Sequence, residues 1–130
     1  MNNYDCIKPD RSKIVMAMAA MPVVNIINLS DFTAKGFKLI DKPHFSIESP
    51  ILHYIDVQST DEYIYALYLG SDIESVDYHT ELHIIDWEGN FIKKVRFNMD
   101  YEAISLTKDV LYLYTYSDVS LYSVNVSELR

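Results

Sequence analysis

Glu81-Leu-His-Ile-Ile-Asp-Trp-Glu-Gly-Asn-Phe-Ile-Lys-Lys-Val-Arg-Phe97 reads as two strands joined by a tight turn. Leu82 to Trp87 and Phe91 to Phe97 are rich in β-branched and aromatic residues, and Glu88-Gly89-Asn90 supplies the turn between them. Echoes of the hairpin lie before and after it, so it reads as one part of a repeated unit.

Three strand-like segments carry the repeat: Ile14 to Ala19, Ile64 to Leu69 and Leu111 to Tyr116. Each follows a polar turn containing an aspartate: Asp10, Asp61 or Asp109. Each precedes a loop and a second matching strand: Val24 to Leu29, Leu82 to Trp87 or Leu121 to Val126. The fifth position of that second strand is Asn28, Asp86 or Asn125, a polar side chain where the strand runs into a turn. Short antiparallel strands repeating at about 50 residues are the signature of a β-propeller, whose blades have about four strands. The expected fold is therefore all-β, a partial β-propeller of about three four-stranded antiparallel blades.

Other strands fill the pattern. Asn2 to Lys8 is the weakest candidate for a first strand. Val23 to Leu29 is β-branched, carries apolar residues on both faces and is expected to be covered on both. Ser30 to Gly36 reads as loop and Phe37 to Ile40 as a short strand. Ile51 to Val57, Tyr63 to Leu69 and Glu102 to Leu106 complete the set, and Ser127 to Arg130 reads as a tail. The whole chain, residues 1–130, is expected to be one partial propeller domain. Blade one spans about residues 1–40, blade two about 51–97 and an incomplete blade three about 102–130. Lys93, Lys94 and Arg96 suit the outer edge of blade two, where charge blocks edge-to-edge pairing.

Asp86-Trp87-Glu88-Gly89-Asn90 resembles the D-W-x-G turn of the TolB-like six-bladed propeller proteins of bacteria. Glu62 to Ala66 and Val110 to Tyr112 resemble that family's second strand. The resemblance runs from about Cys6 to Val126 and implies a propeller fold, in proteins that are exported and over twice this length. It implies no particular activity.

Composition narrows the function classes. The 130 residues carry a formal charge of −8, which repels phosphate backbones and anionic lipid, so neither nucleic acid nor membrane insertion is expected. Cys6 is the single cysteine and forms no internal disulfide or zinc spacing. The opening residues contain no apolar signal segment, and the compartment is left undetermined. No Gly-x-Ser-x-Gly elbow and no glycine-rich phosphate loop occurs, so no catalytic residue is assigned.

The candidate ligand-binding residues are His53, Tyr54 and Asp56, on a strand expected beside the central channel, and Asp77, Tyr78 and His79, in the loop from Gly70 to Thr80. Asp72, Glu74, Asp77, His79 and Glu81 are dense enough in carboxylates to suggest a hard cation, but lack the order of a calcium loop. A solvated acidic loop is the simpler reading. His79 and His83 stand four apart, a zinc spacing only on a helix, whereas this segment reads as loop into strand. His83 is expected to pack on the strand face of Ile85 and Trp87. No metal and no cofactor is expected.

The best functional expectation is a non-enzymatic ligand-binding or protein-interaction scaffold. The rival is a propeller hydrolase or lactonase with a metal in its channel. A partial ring exposes two apolar blade faces, which predicts a homodimer closing the propeller, with residues 1–8 a candidate strand crossing to the partner. A fragment of a longer propeller and a non-functional truncated gene product are the remaining readings.

Overall fold

A computed structural model describes residues 3–38, 51–72, 79–97, 99–115 and 120–129. Eleven strands form three antiparallel sheets among them. Sheet one is β1 (Asn3–Ile7), β2 (Lys13–Met18), β3 (Val23–Asn28) and β4 (Ala34–Lys38), paired in that order. Sheet two is β5 (Ile51–Ser59), β6 (Tyr63–Asp72), β7 (Glu81–Asp86) and β8 (Phe91–Arg96). Sheet three is β9 (Ala103–Thr107), β10 (Val110–Tyr114) and β11 (Leu121–Asn125), followed by the one-turn helix α1 (Val126–Leu129). No helix among the described residues is long and apolar enough to cross a membrane.

Two cores hold the sheets face to face. Val15, Ala17, Val24 and Ile26 of sheet one meet Tyr54, Ile64, Ala66, Ile85 and Trp87 of sheet two. The opposite face of sheet two, with Tyr65, Leu67, Leu82 and Ile84, meets Ile104, Leu111 and Leu113 of sheet three. Ile64 to Leu67 and Leu82 to Ile85 are therefore buried at every position. A strand covered on both faces has no solvent side to alternate with. β5 packs against β1 and β2 on one side and β9 on the other, so the first strands of the three sheets lie together. Asp10 N donates to Asp61 Oδ1 at 2.8 Å and ties the first turns of sheets one and two.

The repeat position at the end of the second matching strand has one job in all three sheets. Asn28 Oδ1 accepts from Ser30 N (3.1 Å), Asp86 Oδ1 from Glu88 N (3.0 Å) and Asn125 Oδ1 from Ser127 N (3.2 Å). Each side chain satisfies a backbone donor that the departing strand leaves without a ladder partner. In the Asp86 turn the same carboxylate also accepts from Asn90 N and Nδ2. Gly89 adopts φ 90°, and a Cβ there would sit 2.2 Å from the Phe37 ring of sheet one. The glycine of the D-W-x-G stretch thus serves both the turn and the packing between sheets.

The structure corrects several sequence expectations. Val23–Asn28 is buried on one face and only half-buried on the other, because within the described residues sheet one has a neighbour on one side. β4 begins at Ala34, inside the expected loop, since an edge strand needs a backbone ladder and not an apolar face. β11 ends at Asn125, which caps α1 and lets Val126 and Leu129 turn into the core with sheet three. Residues 3–7, the candidate crossing strand, pair within their own sheet, from Asn3↔Met18 to Ile7↔Ile14. Tyr4 and Cys6 pack on the first core, which holds the segment in place.

Phe32, in the β3–β4 turn, has φ 57° and is 78% exposed. A side chain in the left-handed region costs energy, and this one recovers little by burial. Phe32→Gly is expected to stabilise the chain by roughly 0.5–1 kcal/mol, read as a higher urea midpoint. A lower midpoint would show that the ring stabilises the turn.

Candidate functional site

His53, Tyr54 and Asp56 lie on β5. Two irregularities in the β5–β6 ladder flank Tyr54, and they turn both His53 and Tyr54 inward although they are consecutive. Gly70, at φ 65°, lies opposite the first irregularity. A Cβ on Gly70 would come within 2.4 Å of the Tyr68 ring.

The inward side chains form a linked aromatic and polar cluster. His53 Nδ1 lies 3.1 Å from Tyr68 Oη, and Tyr54 Oη lies 3.0 Å from His83 Nδ1. His83 Nε2 is 3.2 Å from Glu81 Oε2, and Lys94 and Arg96 stand 3.8 Å and 3.5 Å from the Glu81 carboxylate. An ionised carboxylate only accepts, so His83 donates from Nε2 and Tyr54 donates to the bare Nδ1. Tyr68 stacks on His83 at 4.7 Å, and Phe91 meets it edge-on at 5.2 Å.

Burial governs the titration of this cluster. It holds the His83 imidazole below the usual histidine range, although the hydrogen bond and charge of Glu81 pull the other way. Burial likewise lowers His53. It raises the Tyr54 phenol well above its ordinary value and pushes Tyr68 up to about 12. The cluster therefore contains neutral imidazoles and un-ionised phenols near neutrality, leading from a buried hydroxyl to the half-buried Glu81. Tyr54 and His83 are fully buried, so neither offers an atom to a molecule outside.

Asp56 faces the junction with sheet three. Its Oδ1 accepts from Val57 N and its Oδ2 from Ile104 N, both at 2.9 Å. Burial raises this carboxyl above the usual carboxylate range, against the lowering effect of those two donors. His53 N donates to Ala19 O at 2.8 Å, the corresponding link to sheet one. His79 is exposed, next to buried Thr80, while Asp77 and Tyr78 lie outside the described residues. Among the described residues no three His, Cys, Asp or Glu side chains converge to hold a metal ion.

No protein-family model and no curated protein matches the chain. Among solved structures it is similar to "KlHsv2 with loop 6CD replaced by a Gly-Ser linker", at 13% sequence identity and a TM-score of 0.46. The match covers 95% of this chain and 40% of that one.

Tyr68 was missed in the sequence, and Glu81 was weighed only as a loop carboxylate and not as the partner of His83, because both join the cluster through cross-strand register. Tyr68 pairs with Glu81 and Ala66 with His83, placing all three side chains near Tyr54. The signal, in hindsight, is His83 two residues after an acidic strand start and opposite an aromatic strand.

The cluster carries a pH prediction. A group depressed in the folded state contributes stability that is present above its unfolded value, about 6.5 for histidine, and lost as pH falls through the folded value. His53 and His83 both have this sign. Asp56, raised by burial, has the opposite one. His83→Gln is therefore expected to flatten the loss of stability between about pH 7 and pH 5, measured by urea unfolding at each pH. An unchanged slope would assign the loss to other groups.

Proposed function

We propose that this chain is an arc of a β-propeller and serves as a non-enzymatic binding scaffold, completed by a second copy of itself. The observation that carries this reading is the stacking of three consecutive meander sheets with their first strands together. The turn built by Asp86, Trp87 and Gly89, which resembles that of TolB-like propellers, supports it.

The two end faces support closure by a second copy. The far face of sheet one presents Ile7, Ile14, Met16, Met18, Val23 and Ile27, half-buried or exposed. The far face of sheet three presents Tyr112, Tyr114 and Leu121, the last 67% exposed. A two-fold assembly sets each methionine-bearing face on the tyrosine-bearing face of the other copy, where thioether and ring surfaces attract.

Paired substitution of Ile14→Lys and Met16→Lys tests this directly. Both side chains point away from the first core, so folding is expected to persist. Association in sedimentation experiments is expected to weaken by more than about tenfold, because two ammonium groups must be desolvated at each contact. Unaltered association would place the contact elsewhere.

A further inference from the structure

The cleft between sheets one and two is bordered by polar groups, Lys13, Asn28 and Lys35, that lie outside the first core. Along the face of sheet one that meets sheet two, the inner rows are Val15, Ile26, Ala17 and Val24. The row at the turn end is Lys13 paired with Asn28, and Lys35 sits beside Ile26 on β4. The same face thus changes from aliphatic to cationic where the apolar core ends. Opposite lies the Trp87-Glu88 corner of sheet two, with Phe37 on the flank. The space between encloses about 310 Å³, within the range of small-ligand sites.

Three features separate this cleft from an ordinary crevice. Lys13 and Lys35 form no ion pair among the described residues, in a chain of net charge −8. Lys8, the nearby cation over the Trp87 ring at 5.7 Å, is already paired with Asp10 at 3.0 Å. Edge protection accounts for a lysine on the outermost strand β4, but Lys13 stands on the inner strand β2. Asn28 spends its carbonyl oxygen on Ser30, which leaves its amide as a further donor toward the cleft. Glu88 is the one acid in the lining, exposed at the rim against two ammonium groups.

We infer that this cleft is a binding site for a small flat molecule carrying an anionic group, with Phe37 contacting the ring beside the rim of the largely buried Trp87, and Lys13 and Lys35 holding the carboxylate or phosphate. Aromatic walls supply apolar area at little entropic cost, and a charge-assisted contact in a partly enclosed site fixes orientation. The site lies within one chain, between sheets one and two, so it stands or falls apart from ring closure.

Trp87 is the single tryptophan and lies at the inner end of this cleft, so its fluorescence reports on the junction of sheets one and two. The full chain is titrated with benzoate, phenyl phosphate, inorganic phosphate and uncharged benzyl alcohol. Saturable change in Trp87 emission is expected with benzoate or phenyl phosphate at millimolar concentration or below, and the tighter of the two identifies the anion. Inorganic phosphate and benzyl alcohol, each lacking one half of the pattern, are expected to bind at least about tenfold more weakly. Lys13→Gln and Lys35→Gln should each weaken the anionic ligand about tenfold and leave benzyl alcohol unchanged. Absence of saturation with both anions to tens of millimolar, equal binding of benzyl alcohol, or wild-type affinity in both lysine variants would overturn the assignment.

Discussion

Trp87→Ala is expected to destabilise the chain by about 3–5 kcal/mol, the usual cost of deleting a large buried aromatic. Trp87 is 4% exposed and sits where sheet two meets sheet one, in one core with Val15, Val24 and Ile85. Its Nε1 donates to Thr60 O at 3.0 Å, which ties the D-W-x-G turn to the β5–β6 turn. Alanine removes the ring, leaves a cavity in the first core and leaves the Thr60 carbonyl without that donor. A domain of this size has only about 5–15 kcal/mol in total, so a large part of its stability goes. Trp87→Phe keeps most of the apolar area and loses the hydrogen bond, so about 1–2 kcal/mol is expected. Urea unfolding followed by circular dichroism measures both. A loss below about 1 kcal/mol for Trp87→Ala would mean that the two sheets are held together by something else.

Asp56→Ala is the second large effect, expected at about 2–3 kcal/mol. The side chain is half-buried between sheets two and three, and Ile104, whose backbone it receives, is only 2% exposed. Alanine strands the Ile104 and Val57 N–H groups in a place where water does not replace the acceptor. Asp56→Asn is the contrasting variant. It removes a charge that burial disfavours but keeps an acceptor for only one of the two N–H groups and sets its NH2 against the other, so its cost near neutrality is expected at about 1–2 kcal/mol, below that of alanine. The two variants also separate in pH dependence. Stability withheld by the buried charge returns as pH falls through the raised folded value toward the ordinary 3.8, in the wild type and not in Asp56→Asn. Equal losses in the two variants would assign the effect to packing alone.

The sheet order was legible because the repeat is written in residues that do the same work three times. Ile14, Ile64 and Leu111 fall on β2, β6 and β10, and Asn28, Asp86 and Asn125 close equivalent turns. What was not legible has local causes. Ala34-Lys-Gly lacks an apolar alternation, so the start of β4 follows only from its ladder with β3. The irregularities around Tyr54 defeat a period-two reading, which places His53 and Tyr54 on opposite faces. α1 is a single turn, too short for any helical period to register. His53, Tyr54 and Asp56 were singled out for their place on a strand expected beside the central channel, and they lie on β5. Their partners were not legible, because Tyr68, Glu81, His83 and Ile104 are set by register and by stacking between sheets.

The far faces of sheets one and three set the central question, which is what covers them. Light scattering coupled to size-exclusion chromatography answers it most directly, with the wild-type chain run across the micromolar range. Closure by a second copy predicts a species of twice the 15.1 kDa chain mass, about 30 kDa, that dissociates when Ile14 and Met16 are replaced by lysine. A monodisperse 15.1 kDa species throughout that range would contradict it.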